Sequence, residues 1–124
     1  MKRVIAAVVL LIIVVSTYIG SYIYINHVCE ETLNKLDKCI ASYSENKNSE
    51  KEAENLDKYW NKMEKSLSIV VNHGKIDDIE YAIGALKVYS KSSEEMLFYE
   101  YSEAVKTHIH QLKEDTKISF HSIF

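Results

Sequence analysis

Hydrophobic residues are distributed unevenly along the chain, because Val4 to Ile25 form an unbroken run of 22 uncharged residues. A helix needs about 20 such residues to cross the hydrocarbon core of a bilayer. Lys2 and Arg3 precede the run, and the first acidic residue after it is Glu30. The pattern predicts a cytoplasmic tail at residues 1–3, a transmembrane anchor at 4–25 and an extracytoplasmic domain at 26–124, oriented by the positive-inside rule.

Three other interpretations fit the apolar run less well. A cleaved signal peptide has about 7–15 apolar residues and small residues at its cleavage site, whereas this run extends through Tyr22 and Ile25. A lipoprotein signal places small residues before its cysteine, but Cys29 follows the polar residues 26–27 and lies beyond the run. A core helix that is apolar on every side requires the rest of the chain to surround it. We therefore expect an uncleaved signal-anchor.

After the anchor, apolar residues recur every three or four positions, which is typical of amphipathic helices. The four stripes are Cys29, Leu33, Leu36, Ile40 and Tyr43; Leu56, Trp60, Met63, Leu67 and Val70; Ile76, Ile79, Ile83 and Leu86; and Leu97, Tyr101, Val105, His108 and Leu112. The stripes predict helices over residues 26–44, 50–73, 76–91 and 93–119, the first continuous with the anchor. Short connections favour a coiled-coil-like antiparallel bundle, with an open array of helical hairpins as the alternative. The predicted fold class is all-α.

The stripes also predict the core and the helix ends. The residues expected to form the structural core are Trp60, Leu67, Ile79 and Ile83. The Asn72-His73-Gly74 segment is predicted to end the second helix, with His73 capping the last carbonyls and Gly74 in the left-handed conformation. Ser49 followed by Glu52 predicts a capping box at the start of that helix.

Charge and composition narrow the function classes. Lys2 and Arg3 are two of the 15 basic residues, and all 18 acidic residues follow the anchor, so residues 26–124 carry a net charge of −5 with His neutral. That balance argues against nucleic acid as a partner, because nucleic acid selects basic surfaces. The absence of proline and the presence of only three glycines argue against a turn-rich β fold.

Candidate chemistry is sparse. His108 and His110 point about 200° apart on a helix, so one helix cannot offer both to a metal ion. His73 pairs poorly with Asp77 or Glu80 as a metal site, because Gly74 interrupts the helix between them. No nucleophile or nucleotide-binding motif occurs. We therefore expect no enzymatic activity, no cofactor and no metal.

The two cysteines are also expected to stay apart. Cys29 and Cys39 lie ten residues apart on one predicted helix, about 15 Å along its axis. A disulfide requires Cα atoms within about 7 Å, so they should not pair with each other.

The tyrosines are the strongest candidates for contact with a partner. Tyr81, Tyr89, Tyr99 and Tyr101 occupy the third and fourth predicted helices, in excess of what one small core absorbs. Tyrosine is enriched at protein interfaces because its ring buries area while its hydroxyl keeps a hydrogen-bond partner. The alternative is that these rings cover the ends of the bundle.

The middle of the chain resembles a family of small single-pass membrane proteins of unknown function from clostridia and related bacteria. The residues that carry the resemblance are Trp60, Leu67-Ser68, His73, Ile76, Ile79-Glu80 and Leu86. The resemblance implies an anchored helical outer domain in a monoderm bacterium, and it identifies no catalytic residue. Gly74 departs from the pattern, because an acidic or polar residue is more usual after the histidine.

Together these features predict a membrane-anchored accessory or interaction protein. Its expected partners are the membrane and either another membrane protein or a second copy of the chain. The alternative function is a ligand-binding sensor module of the four-helix-bundle type, which would signal through a partner because only residues 1–3 lie inside. A polar pocket between the helices favours the sensor, whereas a dry core with an exposed apolar patch favours the interaction protein.

Overall fold

The computed structural model describes residues 1–123 and contains four helices: α1 (Lys2–Asn46), α2 (Glu50–Val70), α3 (His73–Tyr89) and α4 (Glu95–Ile123). No strand occurs within these residues, which confirms the all-α prediction with about four helices. Each helix packs against the next and α4 returns to α1, whereas the backbones of the diagonal pairs lie farther apart within the described residues. The domain is therefore a closed antiparallel bundle and not an open array of hairpins.

Helix α1 passes from an exposed segment into the bundle without a break. It is 45 residues long, which corresponds to about 68 Å. Its most apolar 18-residue window is not buried at all, and among residues 1–123 it is the one helix long and apolar enough to cross a membrane. The interpretation of the apolar run as a buried core helix is therefore wrong. From Ile25 onward one stripe of α1 is buried: Ile25, Val28, Cys29, Thr32, Leu36, Cys39 and Tyr43.

The core lies between the four helices and is almost entirely apolar. Trp60, Leu67, Ile79 and Ile83 are all buried in it, with 0–1% of their surfaces exposed. Two residues of the predicted stripe of the last helix, Val105 and Leu112, are buried. The other three, Leu97, Tyr101 and His108, are only half-buried, and the residue after each of them is buried instead: Phe98, Ser102 and Ile109. A serine interrupts that stripe. Its hydroxyl donates to the carbonyl of Phe98 at 2.9 Å, which satisfies it inside the core.

The turn between α2 and α3 corrects the predicted helix cap. Helix α2 ends at Val70, and His73 is the first residue of α3 instead of a cap on α2. Gly74 lies inside α3 and does not adopt a positive φ. The reason is Asn72, whose side-chain oxygen accepts a hydrogen bond from the Gly74 backbone N–H at 2.8 Å. That N-cap starts α3 earlier than the sequence pattern predicted.

The predicted capping box at Ser49 is also absent. Ser49 occupies the N-cap position of α2 but makes no side-chain cap hydrogen bond. Its hydroxyl is buried, where it donates to the Ser90 carbonyl at 3.3 Å and accepts from the Cys39 thiol at 3.4 Å. Asn48 accepts the hydrogen bond from the Glu50 N–H instead. Ser49 therefore links α1, α2 and the end of α3.

Tyr43 closes the end of the bundle farthest from the exposed segment of α1. Its ring stacks on Phe98 with centroids 3.8 Å apart, and its hydroxyl donates to the Ser92 carbonyl at 2.7 Å. One turn later α1 ends at Asn46, and its C-cap residue Lys47 takes the left-handed conformation (φ 55°) and pairs with Glu95 at the start of α4. These contacts connect the end of α1 to the α3–α4 loop and to the first turns of α4.

Replacing Trp60 tests this core. Trp60→Ala in the full chain is expected to lower the free energy of unfolding by about 3–5 kcal/mol, because the change empties the largest fully buried side-chain volume. Denaturant unfolding in mild detergent, followed by circular dichroism, measures the effect. Tyr81→Ala is the control, since Tyr81 is 72% exposed and should move stability by no more than about 0.5 kcal/mol. Equal effects of the two changes would contradict the assignment of Trp60 to the core.

Candidate functional site

The outer surface of α3 and α4 carries a shallow aromatic groove. Tyr81, Val88 and Tyr89 of α3 line it together with Tyr101 of α4. Tyr81 and Val88 are 72% and 68% exposed, so the groove presents apolar side chains to solvent. The Tyr89 and Tyr101 rings stack with centroids 5.7 Å apart. We call these residues, with Gly84 and Ala85, the tyrosine groove.

Gly84 forms part of the floor of the tyrosine groove. It lies within α3, and a Cβ atom added there would meet nothing within 4 Å. Alanine would be the better helix former by about 1 kcal/mol. The glycine is therefore not required by packing inside the bundle, and its effect is to leave the groove open.

The structure brings together three of the four predicted partner-binding tyrosines. The nearby Tyr81 raises the pKa of Tyr101, and burial and Tyr89 raise the pKa of Tyr101 further. Tyr99 lies elsewhere, with its ring at 5.7 Å from Tyr43 and 5.3 Å from Phe98. Helix geometry separates Tyr99 from Tyr101, because residues two apart point about 200° away from each other.

A second concave site, which the sequence analysis did not identify, lies at the base of the bundle, where the exposed part of α1 begins. This basal cleft has a volume of about 320 Å³. Its walls come from Tyr18 and Tyr22 of α1, from Val71 in the α2–α3 turn, and from Thr116 and Phe120 of α4. The Tyr22 and Phe120 rings are 4.6 Å apart, so they join α1 and α4 below the core.

The basal cleft exists because small side chains continue the buried stripes. The stripe of α4 runs at steps of four and three from Phe98 to Leu112, and the next two positions are Thr116 and Ser119. In α1, which runs in the opposite direction, Ser21 lies one turn before Ile25, the first buried position of the helix. Small residues at facing positions leave the space that larger side chains fill higher in the bundle. This change in size is the sequence signal that could have identified the cleft.

One ion pair lies in the wall of the basal cleft. Lys75, in the first turn of α3, pairs with Asp115 of α4, and both side chains remain partly exposed. Apolar rings and this charged pair therefore line the same space. The arrangement suits an amphiphilic ligand better than a purely polar one.

Glu64 and Trp60 lie one turn apart on α2, and both carry buried polar atoms without a hydrogen-bond partner in residues 1–123. The atoms are the Trp60 Nε1 donor and the Glu64 Oε2 acceptor. Burial raises the pKa of Glu64, and the nearby carboxylates of Glu80 and Asp77 raise it further. The ammonium group of Lys65 lowers the pKa of Glu64 in part, and the carboxylate of Asp57 raises it slightly.

The histidines do not assemble into a metal site in the described residues. No group of three or more His, Cys, Asp or Glu side chains there is arranged to hold a metal ion. His73 begins α3, while His108 and His121 lie far apart along α4. The sequence suggestion of His73 with Asp77 or Glu80 thus has no supporting geometry within residues 1–123.

Both cysteines are free and buried, as expected from their spacing on one helix. Burial raises the pKa of Cys29 to about 12 and raises that of Cys39 as well. A protonated, buried thiol is a poor nucleophile. Neither cysteine is therefore available for cross-linking to a partner while the domain is folded.

A comparison with protein families finds that residues 19–123 match a domain of unknown function, DUF4363. The chain belongs to the DUF4363 family. The match begins just before Ser21, where the other helices start to cover α1, so the DUF4363 region comprises the bundle and, apart from Tyr18, the walls of the basal cleft. No curated protein and no solved structure matches the chain significantly.

The raised pKa of Glu64 in this DUF4363 domain predicts a pH-dependent stability. Between the ordinary pKa near 4.5 and its raised value, the folded state holds a proton that the unfolded state has lost. Glu64 therefore reduces stability as pH rises through that window. Glu64→Gln, which removes the titration, is expected to raise the melting temperature more at pH 7 than at pH 4.

Melting curves of both proteins across that pH range measure the difference. Glu54→Gln is the matched control, because Glu54 lies on the exposed face of the same helix. A Glu64→Gln benefit that stays constant with pH would contradict the assigned titration.

Proposed function

We propose that this protein is a membrane-anchored interaction protein whose helical domain docks on another protein through the tyrosine groove. The proposal combines two features of the described chain. An exposed apolar helix continues directly into a closed bundle, and the bundle leaves an aromatic groove uncovered on its outer surface. The first feature supports the anchor and the second supports the docking surface.

The supporting observation for an uncleaved anchor is the way α1 enters the bundle. Ile25 is 4% exposed, and Ser21 and Tyr22 are already partly covered by other helices. Cleavage near Ser21 would cut an unbroken helix at the point where it packs against α4. Lys2 and Arg3 favour an inner N-terminus by the positive-inside rule, which places the bundle on the extracytoplasmic side.

The tyrosine groove supports docking because it combines exposed apolar area with an open backbone. Tyr81 and Val88 expose most of their surfaces, and Gly84 between them carries no side chain to block an approaching helix or strand. Aromatic residues with large contact areas commonly dominate binding energy at protein interfaces. We propose as occupant a protein segment with apolar side chains, from another membrane protein or from a second copy of this chain.

The origin and chemistry of the protein form part of the same proposal. The resemblance of residues 60–90 to small clostridial membrane proteins supports a monoderm bacterial source. The described polar residues mostly form exposed pairs between helices, such as Lys87 with Asp57 and Lys91 with Glu50. Such pairs contribute little stability individually, and we propose no enzymatic activity for them.

A sensor module is the second candidate function, and the basal cleft is the observation that favours it. The core above the cleft is apolar and closed, so the cleft is the place where a ligand would bind between helices. A ligand there would contact α1, the α2–α3 turn and α4 together. We propose that such a sensor would pass its signal on through a partner protein.

The orientation is tested by fusing a topology reporter to the C-terminus of the full chain. Alkaline phosphatase, which is active outside the cytoplasm, is expected to be active in this fusion. Exchanging charges across the span, with Lys2→Glu and Arg3→Glu plus two lysines after Ile25, should reduce that activity because the positive-inside signal is reversed. Activity of a cytoplasmic reporter alone in the native fusion would contradict the orientation.

Docking is tested with a photoreactive phenylalanine derivative at position 81, introduced into the full chain in its native membrane. Irradiation is expected to give one discrete cross-linked product. Twice the mass of the chain identifies a second copy, and any other discrete mass identifies a different protein. Val88→Lys should abolish the product, because a charge in the groove must be desolvated on binding.

The matched control places the same photoreactive residue at position 96. Met96 is 83% exposed on α4 but lies outside the tyrosine groove, so it should give no discrete product. Equal products from positions 81 and 96, or none from position 81, would contradict docking through the groove. The melting temperature of Val88→Lys should match that of the native chain, since Val88 is largely exposed.

A further inference from the structure

The basal cleft supports an inference about lipid, which rests on the membrane anchoring proposed above. The exposed part of α1, from Val4 to Gly20, contains 17 residues and is about 25 Å long. The hydrocarbon core of a bilayer is about 30 Å thick. When Lys2 and Arg3 mark its inner edge, Ser21 and Tyr22 reach its outer edge.

The end of α4 lies at the same level as the outer edge of the bilayer. Phe120 contacts Tyr22 ring to ring at 4.6 Å. Because α4 runs antiparallel to α1, its preceding turns, with Thr116 and Asp115, lie progressively farther from the membrane. The basal cleft therefore opens within the interfacial layer and not above it.

Exposed apolar residues flank the cleft on three helices. Ile23 of α1, Ile69 of α2 and Ile118 of α4 are 61%, 84% and 63% exposed, and each lies next in sequence to a residue of the cleft wall. Exposed isoleucines are costly in water and favourable against acyl chains. Their position supports contact between the base of the bundle and lipid.

The apolar and charged parts of the cleft lie in the same order, from the membrane outward, as the acyl chains and head group of a lipid in the outer leaflet. Its membrane-facing part is formed by the rings of Tyr18, Tyr22 and Phe120, and the charged pair of Lys75 with Asp115 lies at the part farther from the membrane. A lipid in the outer leaflet likewise directs its chains towards the bilayer centre and its head group outward. The volume of about 320 Å³ is at the lower limit of the roughly 300–1,000 Å³ of ligand sites, which suits part of one lipid.

We propose that the basal cleft binds one lipid of the outer leaflet. The upper segment of an acyl chain packs against Tyr22 and Phe120, and the head group lies at Lys75 and Asp115. Occupancy joins α1, α4 and the α2–α3 turn through the lipid. The bilayer then holds the domain in two ways, through the α1 anchor and through the lipid bound at the base of the bundle.

The test uses the full chain in lipid nanodiscs that contain a phospholipid with a photoreactive diazirine near the glycerol end of one acyl chain. Mass spectrometry locates the cross-linked residues after irradiation. Cross-links are expected at Val71 and Thr116 in the cleft, in addition to the exposed residues of α1. Ser119→Phe fills the cleft from an exposed position of its wall, and should lower cross-linking at Val71 and Thr116 about tenfold, equivalent to about 1.4 kcal/mol.

Ser122→Phe is the matched control, since it adds the same ring one turn later on α4 at an exposed position outside the cleft wall. It should leave cross-linking at Val71 and Thr116 unchanged. Cross-links confined to the exposed part of α1, or equal loss in both variants, would overturn the lipid site while leaving the anchor intact. Extraction of the native chain from membranes by alkaline carbonate, with no cross-links in α1, would instead overturn the proposed anchoring itself.

Discussion

Helix α1 imposes the constraint on which the rest of the structure depends. Its first half exposes apolar side chains on every side, and its second half buries one stripe, yet the backbone runs through both without interruption. A helix satisfies its own backbone hydrogen bonds, so it can pass between environments of different polarity without exposing unpaired groups. The other three helices can cover α1 only from about Ser21 onward, which determines where the domain begins.

Closure of the bundle follows from that constraint. With α1 as one wall, three short connections bring α2, α3 and α4 around a core centred on Trp60. The end farthest from the exposed half of α1 is closed by Tyr43 on Phe98 and by the Ser49 hydrogen bonds. The base is not closed in this way, because hydroxyl side chains replace large apolar ones just before the buried stripe of α1 and just after that of α4. The difference between the two ends creates the basal cleft.

The two candidate sites therefore lie at different heights and suit different occupants. The tyrosine groove occupies the outer surface of α3 and α4, away from α1, where a protein can approach from the side. The basal cleft lies beside the exposed half of α1, where the proposed lipid has ready access. A domain that holds a lipid at its base and a protein on its outer face would connect the two, with the buried core as the rigid element between them.

The sequence by itself determined the number of helices, the exposed apolar segment and the central core. Spacings of three and four residues are a direct consequence of helix geometry, so Trp60, Leu67, Ile79 and Ile83 could be placed without coordinates. The same geometry separates Tyr99 from Tyr101 and keeps Cys29 from Cys39. These results depend only on contacts within one helix or on the burial of a continuous stripe.

Only the tertiary structure decided how side chains with several possible partners are used. The sequence pattern allowed the Ser49 side chain to cap its own helix. In the bundle its hydroxyl is buried between α1 and α3 and donates to the Ser90 carbonyl instead. Asn72 sets the boundary between α2 and α3, because its side chain accepts a hydrogen bond from the Gly74 N–H and so caps the start of α3. His73 and Gly74 therefore belong to α3 and do not end α2. The register of α4 and the basal cleft likewise depend on which residues of separate helices face each other. Sequence spacing fixes the faces of one helix, whereas the pairing of faces is fixed by packing among all four.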